Sequence, residues 1–433
     1  MEESLVLQNP WWTRKESILE DEKVKAAMEK VHKLLYDFEE GNFLIVGPRQ
    51  VGKTTYLKLL LKYLLERVNP RQVMYFACDL LRKDEQIVEV VRTFDRLGAE
   101  GKKYVFLDEV TFVDGWERAV KFILDSPLSA NKCFYITGSS SIGLKKERFP
   151  GRNIKVMEFL PLSFRRFCEL FGSEELRLAL KETRLDRLRA KDAFQAGKKL
   201  VGFLDEVFGL FNSYLQCGGY PKAVFELMEE GFIREETYRS CFDATVFDLT
   251  KLGRSEKTAA SIIQGVLRRY GSKFSLNSLA KEMEIRSHLT VRDYLEMMED
   301  LYVLRNYHQI DLSRGVTLYR KERKVYFTDP FLCQTFSRIL NVRIETPRLV
   351  EGVVGEHLRR NFGSVHFYSN KRELDFVVGE VGVELKWQER VSFSDFPRVG
   401  VSEKLLLTKH ELDHDEGRRL VLLPAPLLLL ALG

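Results

Sequence analysis

Gly47-Pro48-Arg49-Gln50-Val51-Gly52-Lys53-Thr54 has the spacing GxxxxGK[ST], which suits the capture of a polyphosphate. The glycines let the loop wrap so that backbone N–H groups point inward at phosphate oxygens. A helix opening near Lys53 adds the positive end of its dipole. Lys53 is expected to reach the β- and γ-phosphates and Thr54 to ligate Mg²⁺ through its hydroxyl, with Thr55 completing the nucleotide-binding set. A second feature is Asp108-Glu109, at the end of the apolar run Tyr104-Val105-Phe106-Leu107. Asp108 would hold Mg²⁺ through water, and Glu109 would polarise the attacking water as general base. Adjacent acids also open helices as N-cap and first-turn residues; next to the loop they read as a hydrolytic pair. The glutamate favours ATP over GTP.

Cys133-Phe134-Tyr135-Ile136-Thr137-Gly138-Ser139-Ser140-Ser141 is an apolar run ending in small hydroxyls. Thr137 or Ser139 is a candidate to orient water between Glu109 and the γ-phosphate; the alternative is a plain turn after a core strand. Phe149-Pro150-Gly151-Arg152 follows. Arg152 is a candidate to act on a neighbouring subunit's γ-phosphate, an effect worth roughly 10³–10⁵ in rate, with Arg148 as its competitor.

A second constellation lies near the C-terminus. Asp375 precedes Glu384-Leu385-Lys386 by nine residues, the span of a β-hairpin. Alternation puts Glu384 and Lys386 on one face of a strand. Asp375 on the partner strand would join Glu384 around one Mg²⁺ or Mn²⁺, and Lys386 would orient water or stabilise developing phosphorane charge. Upstream, Leu349–Leu358 reads as a helix carrying Glu351 and Glu356. An ion pair between Glu384 and its neighbours is the structural alternative.

These residues need scaffolds. Phe43–Val46, Val73–Cys78, Tyr104–Leu107, Lys132–Thr137 and Ile154–Phe159 read as strands, and Lys53–Val68 as an amphipathic helix. Strands spaced by helical segments predict βαβ units and a parallel sheet. From Leu162 to about Leu252 the pattern is helical and charged. Leu276–Ile285 and Ser287–Leu301 read as helix–turn–helix, with Ser287 as an N-cap. Val303–Tyr307 and Val316–Phe327 supply a wing. In such a module Arg286, His288 and Arg292 would face a DNA groove, while Arg320, Lys321, Arg323 and Lys324 near the wing tip would touch phosphates. Glu296, Glu299 and Asp300 on the same face oppose that use. Val421–Leu432, broken by Pro424 and Pro426, reads as a buried terminal strand and turn.

Composition fits this division. A chain of 433 residues, 45% hydrophobic and 30% charged, holds two to four ordinary cores and is not disordered. The net charge of +5 is mild, but residues 142–200 carry 15 Lys+Arg against 8 Asp+Glu. No run of about 18 apolar residues occurs, so no spanning helix is expected. Met1–Pro10 has no apolar core of a secretory signal. Six cysteines without CxxC spacing read as buried thiols, and a cytoplasmic protein is expected.

Gly47–Thr54, Asp108-Glu109 and Thr137-Gly138-Ser139-Ser140 together resemble the AAA-type P-loop ATPases of archaea and bacteria. Gly151-Arg152, the segment Phe159-Leu160-Pro161-Leu162-Ser163-Phe164-Arg165-Arg166-Phe167 and Cys217-Gly218-Gly219-Tyr220-Pro221 resemble the subgroup with a nuclease-like C-terminal domain. The resemblance covers nearly the whole chain. It implies an α/β fold with a parallel sheet in the order 5-1-4-3-2 and a helical lid packing on the nucleotide. Arg166 stands where the subgroup carries an acid. The C-terminal Glu351, Asp375, Glu384 and Lys386 resemble the PD-(D/E)xK restriction-nuclease set. Asn9-Pro10-Trp11-Trp12 lies where such ATPases contact adenine, and its indoles either stack on the base or anchor the N-terminal segment.

The expected organisation is an ATPase core over 1–160, a lid and linker over 161–252, a winged helix over 253–340 and a nuclease-like domain over 341–433. Three functions are compatible: an ATPase coupled to DNA, a slow nucleotide-gated switch that recruits a partner, and an ATP-dependent endonuclease. Monomer and homo-oligomer stay open.

Overall fold

The computed structural model describes residues 1–30, 38–139 and 149–433. The chain forms two compact units, Met1–Leu160 and Pro161–Gly433. Ser140, Ser141 and Arg148 fall outside the described residues.

The first unit is built on β1 (Phe43–Val46), β2 (Val73–Ala77), β3 (Lys103–Asp108), β4 (Lys132–Gly138) and β5 (Lys155–Glu158). They form one sheet in the order β2-β3-β4-β1-β5, every pair parallel. This is the order 5-1-4-3-2 that the motifs imply. The first four strands read as unbroken apolar runs because both faces are covered. Phe43, Ile45, Phe106 and Tyr135 pack with Leu57 and Leu61 of helix Lys53–Leu65. Leu44, Val46, Leu107 and Ile136 pack on the other face with Val90 of helix Asp84–Leu97 and Val120 of helix Trp116–Asp125.

β2 is an edge strand, and the N-terminal segment covers it. Asn9 accepts from the Tyr75 amide at 2.7 Å and donates to the Tyr75 carbonyl at 2.9 Å. Both indoles donate to the Val73 carbonyl, Trp11 at 3.1 Å and Trp12 at 2.8 Å, and Trp12 stacks on Phe94. Of the two roles open to the tryptophans, this geometry supports the anchor. It also hides strand polar groups that would otherwise template aggregation.

In the second unit the helices Phe164–Phe171, Glu174–Lys181, Ala190–Leu200, Leu204–Cys217 and Glu235–Lys251 come first. Helices Glu256–Arg268, Leu276–Glu282 and His288–Asp300 follow, with the Ser287 hydroxyl accepting from Leu289 N–H as its N-cap. Then come β6 (Leu304–Asp311) and β7 (Val316–Phe327), an antiparallel hairpin. Beyond helices Pro330–Ile339 and Thr346–Phe362 lie β8 (His366–Ser369), β9 (Glu373–Val378), β10 (Val381–Leu385), β11 (Glu403–Thr408), β12 (Asp413–Asp415) and β13 (Leu420–Pro424). The hairpin does not end as a free wing: one eight-stranded sheet runs β12-β13-β11-β10-β9-β8-β6-β7.

The terminal turn expected after Pro424 is instead helix Ala425–Leu432, buried at every position. Proline is tolerated in a first helical turn, where no intrahelical N–H bond is lost. A helix apolar on all sides belongs inside a core.

The segments Pro161-Leu162-Ser163-Phe164 and Gly218-Gly219-Tyr220-Pro221 meet each other. Leu162 N–H donates to the Gly219 carbonyl at 2.9 Å, and Tyr214 Oη donates to the Leu162 carbonyl at 2.8 Å. Gly219 N–H donates to buried Asp329 at 2.9 Å, whose carboxyl is pushed up to about 7 by burial. A Cβ on Gly219 would lie 2.2 Å from the Leu162 carbonyl oxygen. Because the atoms met are backbone, Gly219→Ala is expected to destabilise the second unit by about 3 kcal/mol. Denaturant unfolding followed by far-UV circular dichroism checks this; an unchanged midpoint would show that the two segments do not touch.

Candidate functional site

The Gly47–Thr54 loop joins the end of β1 to helix Lys53–Leu65. Gly52 sits at φ 96°, ψ 17°, a left-handed conformation open to glycine at little cost, and Gln50 at φ 63° continues the curl. Lys53 is only 4% exposed. Its Nζ donates to the carbonyls of Gly47 at 2.9 Å and Pro48 at 2.7 Å, along the inner rim of the loop. Gly47, Pro48 and Val51 are buried, whereas Arg49, Thr54 and Thr55 are half-buried and Gln50 is exposed. Arg49 lies over the Phe112 ring.

Register brings the hydroxyls to the acids. Leu107 pairs with Ile136 in the β3–β4 ladder, so Asp108 and Thr137 stand side by side on one face. Thr137 Oγ1 donates to Asp108 Oδ1 and accepts from the Glu109 amide at 2.9 Å. Ser139 Oγ lies 2.7 and 2.6 Å from the two Glu109 carboxylate oxygens. Glu109 itself adopts φ 57°, ψ 41°, a conformation a non-glycine residue holds at some cost and one concentrated at functional sites.

The sequence reading missed Tyr75. Its hydroxyl donates to Asp108 Oδ2 at 2.7 Å, and burial together with the Asp108 charge raises its pKa. The signal was a tyrosine two residues from Val73 in an otherwise apolar strand. Its hydroxyl needs a buried acceptor, and the β2–β3 diagonal supplies one.

Arg152 goes elsewhere. It lies in the segment before β5, at the edge where the strands begin; the loop lies where β1 ends. Four residues at ~3.3 Å each separate the two edges by about 13 Å. Its Nε and Nη2 pair with Asp125 at 2.8 and 2.6 Å. Within one chain the structure does not bring Arg152 to Lys53 or Glu109.

In the second unit, Asp375, Glu384, Lys386 and Glu351 do assemble. Lys386 Nζ donates to Glu384 at 2.6 Å, and the Asp375 amide points at Glu384 at 3.4 Å. Burial and the Asp375 charge raise the Glu384 carboxyl and likewise Glu351. Asp375 goes the other way: burial alone would raise it, but the Lys324 charge and the Leu385 amide hold it low. Glu356 is apart, paired with Arg305 and Arg360. No group of three His, Cys, Asp or Glu among the described residues is arranged to hold a metal ion.

The wing-tip expectation needs correcting at two positions. Arg323 and Lys324 are buried, at 5% and 1% exposure, because Phe274 bridges to Arg323 and acids from helix Thr346–Phe362 and β9 enclose Lys324. Lys324 Nζ contacts Glu351 and Asp375 at 2.9 Å and Glu373 at 3.1 Å. Arg286, His288, Arg292, Arg320 and Lys321 are exposed, although Arg292 lies 3.3 Å from Asp293 and 3.9 Å from Glu296. All six cysteines are buried and free. No helix among the described residues is long and apolar enough to cross a membrane.

A glycine-containing loop after β1, paired acids at the end of β3 and hydroxyls from the strand between them lie at one end of the parallel sheet. The AAA domain family model matches residues 39–168, and a domain of unknown function (DUF8612) matches 209–343. The chain is 24% identical to uncharacterized protein MJ1637 of Methanocaldococcus jannaschii over 88% of its own length and 83% of the relative's. It is also 24% identical to an uncharacterized protein of Haemophilus influenzae, over 82% and 84%. Among solved structures, the Orc1 protein of Aeropyrum pernix in complex with DNA shares 13% identity over 76% of this chain and 96% of that one, with a TM-score of 0.33. Drosophila ORC bound to DNA shares 11% over 80% and 100%, with a TM-score of 0.27. Scores of this size do not define the overall fold.

Proposed function

We propose that the first unit binds ATP in the Gly47–Thr54 loop and hydrolyses it. The observation that carries this reading is the side-chain cluster at the ends of β3 and β4, with Thr137 and Ser139 holding Asp108 and Glu109 beside the strand that feeds the loop. Loop amides and Lys53 would bind phosphates. Ser139 fixes the Glu109 carboxylate, which would take a proton from water as that water attacks. Thr54 offers a hydroxyl oxygen, a hard donor that fits Mg²⁺, and Asp108, whose two oxygens accept from Thr137 and Tyr75, would hold the ion through water. A bound Mg²⁺ would neutralise phosphate charge. Arg152 would serve only a neighbouring subunit. Phosphate release by the full-length protein, with and without duplex DNA, tests the reading. Turnover with either supports it; none under any condition favours the slow nucleotide-gated switch.

DNA is the partner we propose for the second unit, on the strength of exposed Arg286, His288, Arg320 and Lys321 on the helix–turn–helix and hairpin. In this reading 161–252 is lid and linker, 253–340 a winged helix, and 341–433 a restriction-nuclease-like fold. The helix Thr346–Phe362, antiparallel β8-β9-β10 and parallel β11 support the last assignment. Arg320→Glu/Lys321→Glu is expected to weaken duplex binding and to flatten its salt dependence by about one unit of log–log slope per lost phosphate contact. Fluorescence anisotropy across a salt series measures both; an unchanged affinity and slope would remove DNA from these residues.

A further inference from the structure

The acidic set Glu351, Asp375 and Glu384 is the one for which the sequence predicts a second Mg²⁺ or Mn²⁺, and the side chains do not fit that ion. Lys324 puts its ammonium between two of them, 2.9 Å from Glu351 Oε1 and 2.9 Å from Asp375 Oδ1, and 3.1 Å from Glu373 beside them. Further donors reach the same carboxylates. Tyr326 Oη donates to Glu351 Oε1, Leu385 N–H to Asp375 Oδ2 at 3.0 Å, and Lys386 to Glu384 Oε1 at 2.6 Å. A divalent ion needs about six oxygens in a shell near 2.0–2.6 Å. Here it would have to expel a buried like-charged group and strip several hydrogen bonds.

We propose that the Lys324 ammonium takes the cation position of this cluster, so that no divalent ion binds there. Lys324 belongs to β7 of the hairpin, while its partners lie on helix Thr346–Phe362 and β9. The ion cluster therefore also fixes the hairpin against the terminal α/β segment. Alternation supports the design: Lys324 and Tyr326, two residues apart on one strand, both reach Glu351. All of these residues belong to the second unit.

Mn²⁺ binding to the nucleotide-free full chain, read by electron paramagnetic resonance, tests it. The wild type is expected to show no site that Asp375→Asn removes. Lys324→Met is expected to gain one site, at least about tenfold tighter than anything in the wild type, as ligands are freed for the metal, and Lys324→Met/Asp375→Asn to lose it again. Should Lys324→Met not fold, Lys324→Met/Glu351→Gln, which removes one charge of each sign, is read in its place. A wild-type Mn²⁺ site abolished by Asp375→Asn would overturn the proposal. So would a folded Lys324 variant that gains none.

Discussion

Glu109→Gln is expected to lower ATP turnover by roughly 10²–10⁴-fold, the ordinary contribution of a positioned general base, while leaving Mg²⁺-ATP affinity nearly unchanged. Glutamine has the same size and keeps an oxygen that accepts from Ser139, whose hydroxyl now lies 2.7 and 2.6 Å from the carboxylate. It has no capacity to accept the proton of an attacking water. The Thr137 contact goes to the Glu109 backbone amide, so it survives the substitution, and the left-handed conformation at this position is not further strained. Phosphate release and a fluorescent nucleotide titration on the same sample separate the two quantities. Turnover close to wild type would place the base elsewhere.

Lys53→Ala should have a different signature, with affinity and turnover falling together. The ammonium is the charged donor of a loop otherwise lined by amides. Charge-assisted hydrogen bonds contribute about 1.5–3 kcal/mol each, so losing two to phosphate oxygens predicts a loss of roughly 10²–10⁴-fold. Lys53→Arg should not restore function, because a planar fork does not fill the place of a compact ammonium at 4% exposure. Loss of turnover with intact affinity would mean that the lysine does not touch the bound phosphates.

Most of the first unit was legible because its signals are local. A buried parallel strand is an apolar run, the GxxxxGK[ST] spacing is fixed, and residues 47–52 do join the end of β1 to helix Lys53–Leu65. Ladder register makes Thr137 a neighbour of Asp108, a pairing that neither strand's own sequence states. Tyr75 was harder, since its role depends on a diagonal between strands whose register is set by the whole sheet. Arg152 was readable as a cation after β4 but not as a group at the opposite sheet edge, because the segment before β5 returns to where the strands begin.

The second unit shows a different limit. Arg320-Lys321-Glu322-Arg323-Lys324 reads as one solvated charge run, since charges are rarely buried unless paired. The partners that bury Lys324 are 27, 49 and 51 residues away, on a helix and another strand. Nothing in the run itself marks where exposure stops. Val325-Tyr326-Phe327 just beyond it is the only local hint, an apolar stretch that draws the preceding lysine into the sheet.

The most direct test is calorimetric titration of the full-length protein with Mg²⁺-ATP, beside Lys53→Ala. Saturable binding near one nucleotide per chain, abolished by the substitution, is the predicted result. An absence of binding, or binding of equal strength in Lys53→Ala, would contradict the assignment of residues 47–54 as the triphosphate site.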